Sequence, residues 1–346
     1  MRTISTKPKG LDLPTASRPL PEKAVPAGPV RVLYVGGLGR SGSTLIERLI
    51  GQVPGACAVG ELVHLWERGV TEDERCGCGE PFSQCPFWQQ VGKAAFGGWD
   101  EIDVSRVAAL RSRVDRNRFI PALARGHLRP ETRQLLAEYT SYYARVYAAV
   151  AGVSGCDLVL DSSKHASLAF CLRWQPDVDL RVLHLVRDPR AVAYSWSKQV
   201  RRPDTDQPSY MTKYSPATAA KQWNVQNAAF HLLARSGVPT MRLRYEDFTA
   251  EPEPTLRRVA GFAGLPDRDS YPFLTAGGGP SGVAPVSARL EGSHSVSGNP
   301  VRFTTGQVPI RADEQWRTRM PRAQQRAVTA LTWPLMAGYG YLGARS

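Results

Sequence analysis

The stretch that most constrains the fold of this chain is residues 30–50. Val30-Arg31-Val32-Leu33-Tyr34-Val35 is a short apolar run bounded by a glycine loop, the pattern of a buried strand. Residues 36–43 form that loop, rich in Gly and Ser. Leu45, Ile46, Leu49 and Ile50 then recur at helical spacing until Gly51 and Pro54 stop them. A strand, a tight glycine loop and a helix in this order present backbone N–H groups and a helix N-terminus to whatever lies beyond the strand. That arrangement suits an anion.

The rest of the chain repeats the alternation. Leu158-Val159-Leu160 and residues 180–186 read as strands, and so do residues 240–243. Asp188-Pro189 and Ser215-Pro216 each start a helix, because the side-chain oxygen accepts an orphan N–H and proline has none to lose. A last helix is expected over 321–337. Strands alternating with helices predict an α/β fold: a P-loop-type three-layer sandwich with a central parallel sheet. Residues 62–150 interrupt this alternation. They are Arg-rich, with Val107, Leu110 and Val114 on one helical face and Leu135, Tyr139, Tyr142, Val146 and Val150 on another, and they read as a helical insertion.

The domain is expected over 30–340. Residues 1–29 hold six prolines and no apolar core of the kind a secretory signal needs, so they are read as a mobile tail and the compartment as cytoplasmic. Residues 264–306 are rich in Gly, Ser and Pro, a candidate cover for a ligand. No run is long and apolar enough to span a membrane. The formal charge of +13 comes from arginine above all, since only eight of the 44 basic residues are lysines. Arginine forks match phosphate and sulfate oxygens. The basic residues are scattered rather than gathered into blocks, which argues against nucleic acid as the partner.

Gly37 and Gly42 have the G-x-x-x-x-G spacing of a nucleotide-triphosphate loop, but Ser43 stands where that motif carries lysine. The lysine reaches the β/γ-phosphates, so a loop without it is poorly suited to ATP hydrolysis. A P-loop kinase or NTPase and a basic nucleic-acid-binding protein are the alternatives to the reading that follows.

Gly39-Arg40-Ser41-Gly42-Ser43-Thr44 resembles the 5′-phosphosulfate loop of sulfotransferases that use 3′-phosphoadenosine 5′-phosphosulfate (PAPS). Ser43 departs mildly from the usual R-S-G-T-T form and keeps a hydroxyl. The block Leu183-His184-Leu185-Val186-Arg187-Asp188-Pro189, with Ser195 eight residues after Arg187, is similar to the family's 3′-phosphate site. Leu160-Asp161-Ser162-Ser163-Lys164 and Tyr245-Glu246-Asp247-Phe248 resemble further segments of bacterial and carbohydrate sulfotransferases. Gly298-Asn299-Pro300-Val301-Arg302 resembles the loop that closes over the nucleotide.

The resemblance implies a set of roles. Gly39, Arg40, Ser41, Gly42, Ser43, Thr44, Arg187, Ser195, Tyr245, Asn299 and Arg302 are expected to bind PAPS, whose product is 3′,5′-ADP. Arg40 and Lys164 are expected to meet the negative charge that builds on the departing phosphate, and a base must take the acceptor's proton. Glu61, in Val59-Gly60-Glu61, matches the base position of tyrosylprotein and related sulfotransferases. His64, three residues on, is the alternative. No metal is called for, because there is no γ-phosphate charge to bridge. The acceptor is a hydroxyl or amine of a small molecule, sugar or natural product, expected against residues 62–150, where Trp66, Trp88 and Trp99 are candidates to stack on it.

Cys76, Cys78 and Cys85 form a C-x-C-x6-C array without the paired C-x-x-C knuckles of structural zinc. They read first as packed thiols, with a disulfide or a metal as alternatives and His64 as a possible fourth ligand.

Overall fold

Five strands, each reading as an apolar run or a short edge, form the parallel sheet around which the chain is wound. In a computed structural model the described residues are 28–204, 209–275 and 286–343. Residues 1–27 of the expected tail and 276–285 of the expected cover lie outside them. The strands are β1 (Val30–Gly36), β2 (Ala56–Ala58), β3 (Leu158–Lys164), β4 (Val178–Val186), the short antiparallel pair β5 (Arg201–Arg202) and β6 (Ser209–Tyr210), β7 (Thr240–Arg244), and β8 (Leu274–Thr275), β9 (Ser287–Leu290) and β10 (Gly306–Pro309). The central sheet has the order β2-β3-β1-β4-β7, all neighbours parallel.

Successive side chains of a strand point to opposite faces, and the two faces here carry separate cores. Val32, Tyr34, Val159, Leu180 and Val182 pack with Tyr143, Val146, Tyr147 and Val150 of the helix Pro130–Ser154. Leu33, Val35, Leu158, Leu160, Leu183 and Leu185 pack with Ile46, Leu49 and Ile50 of the helix Ser43–Ile50 and with Leu256 and Val259 of the helix Pro252–Ala263. The expected three-layer α/β sandwich is therefore the observed one. A strand buried on both faces needs apolar side chains on both, which is why β1 and β4 are mostly apolar, with Arg31, Asp179 and Arg181 half-buried near their starts.

The register aligns the functional ends. Gly36, the last residue of β1, pairs with Lys164 of β3 on one side and His184 of β4 on the other. The glycine loop after β1, Lys164 and the β4 exit at Arg187 consequently lie side by side at the carboxyl edge, where ligands bind in open α/β sheets.

The longest helix of the segment 62–150, Pro130–Ser154, covers a face of the sheet and is part of the main core. In the described part of 264–309, β8, β9 and β10 form a small antiparallel sheet, and a 3₁₀ turn spans Pro300–Phe303.

Candidate active site

The glycine loop owes its shape to two positions. At Gly37 (φ +134°) a Cβ would sit 2.3 Å from the Leu185 carbonyl oxygen, and at Gly42 (φ +88°) 2.4 Å from the Tyr245 ring. Any side chain there would push the loop off β4 or off Tyr245. Gly42 caps the helix Ser43–Ile50 in this left-handed conformation, so no side chain caps it and its first N–H groups stay available. The Ser41 hydroxyl donates to the Leu38 carbonyl at 2.7 Å and Trp196 Nε1 donates to the Gly39 carbonyl at 3.0 Å, fixing the loop from inside and outside.

Arg40 also has a left-handed backbone (φ +73°), an uncommon state for a residue with a side chain. Its guanidinium lies over the Trp196 ring, 5.2 Å from the centroid, and its Nε is buried without a partner. Burial lowers the Arg40 pKa, and the nearby Glu61 charge partly offsets this. An anion in the loop would supply the missing partner.

Arg187 leaves the end of β4. Its guanidinium donates to the Arg40 carbonyl (3.0 Å) and the Asp313 carbonyl (2.9 Å), and stacks over Tyr245 at 4.7 Å. Asp188 caps the next helix by accepting from the Arg190 N–H at 2.8 Å, as its sequence position predicts. Ser195, two turns along, lines the same cavity as Arg187, Gly39, Arg40, Gly42, Ser43, Thr44, Tyr245 and Asn299. That cavity measures about 1080 Å³, just above the ~300–1000 Å³ usual for small-molecule sites.

Glu61, His64 and Lys164 occupy another wall of it. Lys164 Nζ lies 2.5 Å from Glu61 Oε1 and donates to the Ser162 carbonyl at 2.8 Å. Asp161, three residues before Lys164 in the same strand, is occupied elsewhere, accepting from Tyr147 Oη at 2.6 Å and the Ser163 N–H at 2.8 Å. Glu61 precedes the 3₁₀ turn Leu62–His64, in which positions three apart eclipse. His64 Nε2 is accordingly 3.8 Å from Glu61 Oε2. Burial, helped by the charge of Arg68, pushes the His64 pKa down to about 2, so the ring stays neutral.

Glu47 is the residue that sequence reasoning passed over. It is fully buried, with Oε1 accepting from the Gly60 N–H (2.6 Å) and Oε2 from the Ser162 hydroxyl (2.5 Å). One carboxyl thus ties the segment carrying Glu61 to the strand carrying Lys164. Burial pushes its pKa up to about 7, against the lowering effect of the Ser162 hydrogen bond and the Lys164 charge. Its only sequence signal is a lone carboxylate among the apolar residues of the helix after the loop. Arg68, which also lines the cavity and donates to Ser297 Oγ at 2.6 Å, was missed as well.

Three expectations are corrected by position. Arg302 is 1% exposed and points away from the cavity, bound to the Asp204 carboxylate and donating to the Ser295 and Arg75 carbonyls at 2.6 Å. It ties residues 295–302 to Arg75 and Asp204 instead of lining the cavity, while Asn299, Val301 and Thr304 do line it. Trp66, Trp88 and Trp99 belong to one aromatic cluster with Phe82 and Phe96 and are not on the cavity wall. His64 is in the cavity; the imidazole beside Cys76 and Cys85 is His294.

Among the described residues no helix is long and apolar enough to cross a membrane. Much of the arginine excess has internal partners, as in the pairs Arg106–Glu138, Arg202–Glu74 and Arg302–Asp204.

The sequence is similar to those of known proteins. Human carbohydrate sulfotransferase 2 (Homo sapiens) is 29% identical over 216 residues, covering 51% of this chain and 37% of that protein. The Mus musculus protein of the same name is 27% identical over 206 residues, covering 48% and 36%. The chain thus matches little more than a third of the length of these relatives. Among solved structures, the sulfotransferase domain of the Synechococcus PCC 7002 olefin synthase is 20% identical with a TM-score of 0.46, covering 91% of this chain and 98% of that one. A profile described as the sulfotransferase family matches residues 33–269, which is more than half of the sequence. The chain belongs to the sulfotransferase family.

Proposed function

We propose that the protein transfers the sulfuryl group of PAPS to a hydroxyl or amine of an acceptor held beside Glu61. The observation that carries this reading is the Glu61–Lys164 pair, at 2.5 Å, in the same cavity as the lysine-free glycine loop and Arg187. The loop N–H groups, the unpartnered Arg40 Nε and the hydroxyls of Ser43 and Thr44 fit a 5′-phosphosulfate. Arg187, Ser195 and the Tyr245 ring beneath the guanidinium fit the 3′-phosphate end, with Asn299 on the covering loop.

Sulfuryl transfer breaks the bond to the phosphate oxygen while the acceptor oxygen or nitrogen attacks from the opposite side. Charge grows on the departing oxygen, and fixed cations there stabilise the transition state more than the ground state. Lys164 and Arg40 supply that charge. Glu61 takes the acceptor proton. In the resting site Lys164 also neutralises Glu61, so one ammonium serves both ends of the reaction. His64, held neutral, orients the Glu61 carboxylate and excludes water rather than competing for the proton. The cavity volume leaves room for an acceptor as well as a nucleotide, and sugars, glycolipids, natural-product phenols and peptides all have suitable groups.

Incubation with PAPS and pooled acceptors, followed by mass spectrometry for the sulfate increment, tests the proposal. A sulfated product formed by the wild type and not by Glu61→Gln supports it. Absence of product with every acceptor class, combined with hydrolysis of ATP–Mg, would favour the kinase or NTPase reading.

A further inference from the structure

The cysteine array left over from the sulfuryl-transfer reading converges on one point. Cys76, Cys78, Cys85 and His294 bring three sulfurs and one ring nitrogen within 4.8 Å of one another. Cys78 Sγ and Cys85 Sγ are 3.7 Å apart, and His294 Nδ1 lies 3.3 Å from Cys85 Sγ and 3.9 Å from Cys76 Sγ. A tetrahedral zinc ion with Zn–S of about 2.3 Å and Zn–N of about 2.0–2.1 Å sets ligand separations of about 3.8 Å for S···S and about 3.6 Å for S···N. These three distances fall near those edges, and the Cys78–Cys85 sulfur separation is far too long for a disulfide, whose sulfurs sit about 2.05 Å apart.

We propose that Cys76, Cys78, Cys85 and His294 bind one structural Zn²⁺ ion in a Cys₃His site. The local backbone is shaped for it. The Gly79 N–H donates to the Cys76 carbonyl and the Cys76 N–H to the Glu80 carbonyl, both at 2.8 Å, closing a tight turn around the first two cysteines. Gly79 in the left-handed region (φ +97°) permits that turn. Cys85 is the N-cap residue of the helix Pro86–Phe96, where the helix dipole favours a thiolate. His294 is oriented from two sides: its ring stacks on Phe87 at 4.8 Å and 15°, and its carbonyl accepts from Trp88 Nε1 at 2.8 Å. Such outer contacts fix the ring angle of metal-binding histidines.

The site joins parts of the chain 209 residues apart, and what it anchors is the cavity wall. Two residues beyond His294, Val296 bridges Gly60 and its carbonyl accepts the Glu61 N–H at 2.8 Å. Gly298 then packs against the Glu61 carboxylate: a Cβ added there would lie 3.0 Å from Oε1. Zinc at this cluster would hold the covering loop and Glu61 in register without touching substrate. It is a structural ion, closed by four protein ligands, and takes no part in the transfer.

The test is the metal content of the full chain, purified without a histidine tag in zinc-free buffer, by native mass spectrometry and elemental analysis. The expected result is one zinc per chain, retained by Cys57→Ser and by Cys171→Ser and lost in His294→Ala and in Cys85→Ser. Cobalt exchanged into the wild type should give the thiolate charge-transfer band and intense visible bands of a tetrahedral sulfur-rich site, which needs no variant to fold. A wild-type chain that carries no zinc after incubation with the ion, or that is lighter by the two hydrogens of a disulfide among Cys76, Cys78 and Cys85, overturns the proposal. A weak octahedral cobalt spectrum overturns it equally. These readouts are independent of sulfuryl transfer.

Discussion

The two ends of the cavity are built in different ways. The end carrying Gly39 to Thr44 and Arg187 is built from two locally encoded pieces: a strand followed by a loop whose Gly37 and Gly42 admit no side chain, and a strand exit whose Arg187 is held by the Arg40 and Asp313 carbonyls. The end carrying Glu61 and Lys164 is assembled from segments about a hundred residues apart, joined by the buried Glu47 carboxyl and by the Val296–Gly60 bridge. Anion binding can be encoded locally because backbone N–H groups and one or two arginines suffice. Proton transfer needs a base and a cation set at hydrogen-bond range, and only tertiary structure provides that. The comparison teaches that binding and turnover in this protein should be separable by mutation.

Glu61→Gln breaks the comparison most sharply. It keeps size and hydrogen bonding but removes the proposed base, so turnover should fall by about 10²–10⁴ while 3′,5′-ADP binding, read by calorimetry, stays within error. Lys164→Ala should also slow turnover, through the leaving group. An acceptor with a more acidic hydroxyl should partly rescue Glu61→Gln and leave Lys164→Ala slow. Should His64→Gln show the rescued pattern while Glu61→Gln keeps full activity, the base is His64.

Glu47 provides the next largest effect, and it is one of stability. Its folded pKa of about 7 lies above the ordinary 4.5, so the folded state binds the extra proton between those values. Stability contributed by Glu47 is therefore fully present below pH 4.5 and declines as pH rises through 7, by roughly 3 kcal/mol if nothing compensates. Glu47→Gln keeps an acceptor for Gly60 and a partner for Ser162 but does not titrate. Urea unfolding at pH 5 and pH 8 should show the wild type losing stability relative to the variant. Parallel pH dependence in the two proteins would mean that Glu47 does not hold its proton in the folded state.

The smallest expected effect lies at the phosphate end. Arg187→Ala should weaken 3′,5′-ADP about ten- to a hundredfold, the loss of a charge-assisted pair, and should weaken 5′-AMP far less because 5′-AMP lacks the 3′-phosphate. Equal loss for both nucleotides would remove Arg187 from the 3′ site.

The same contrast explains what could be read in the sequence. β1, β4 and the helix caps at Asp188 and Ser215 were legible because period, apolar runs and capping are local properties. β2 escaped notice, since Ala56–Ala58 is three residues long and half-buried at the sheet edge. The aromatic residues of 62–150 were legible as periodic faces, yet whether Trp66, Trp88 and Trp99 face a core or a ligand depends on helix packing that periodicity does not specify. Arg302 matched a motif, but its direction is decided by Asp204, 98 residues away. His294 was silent for the same reason: only folding brings it to Cys85.

Calorimetric titration of the wild-type chain with 3′,5′-ADP, 5′-AMP, ATP–Mg and single-stranded DNA, at matched ionic strength, tests the central claim most directly. The account predicts tightest binding of 3′,5′-ADP, weaker binding of 5′-AMP and no competition from DNA. Preference for ATP–Mg, or DNA that displaces 3′,5′-ADP, would contradict it.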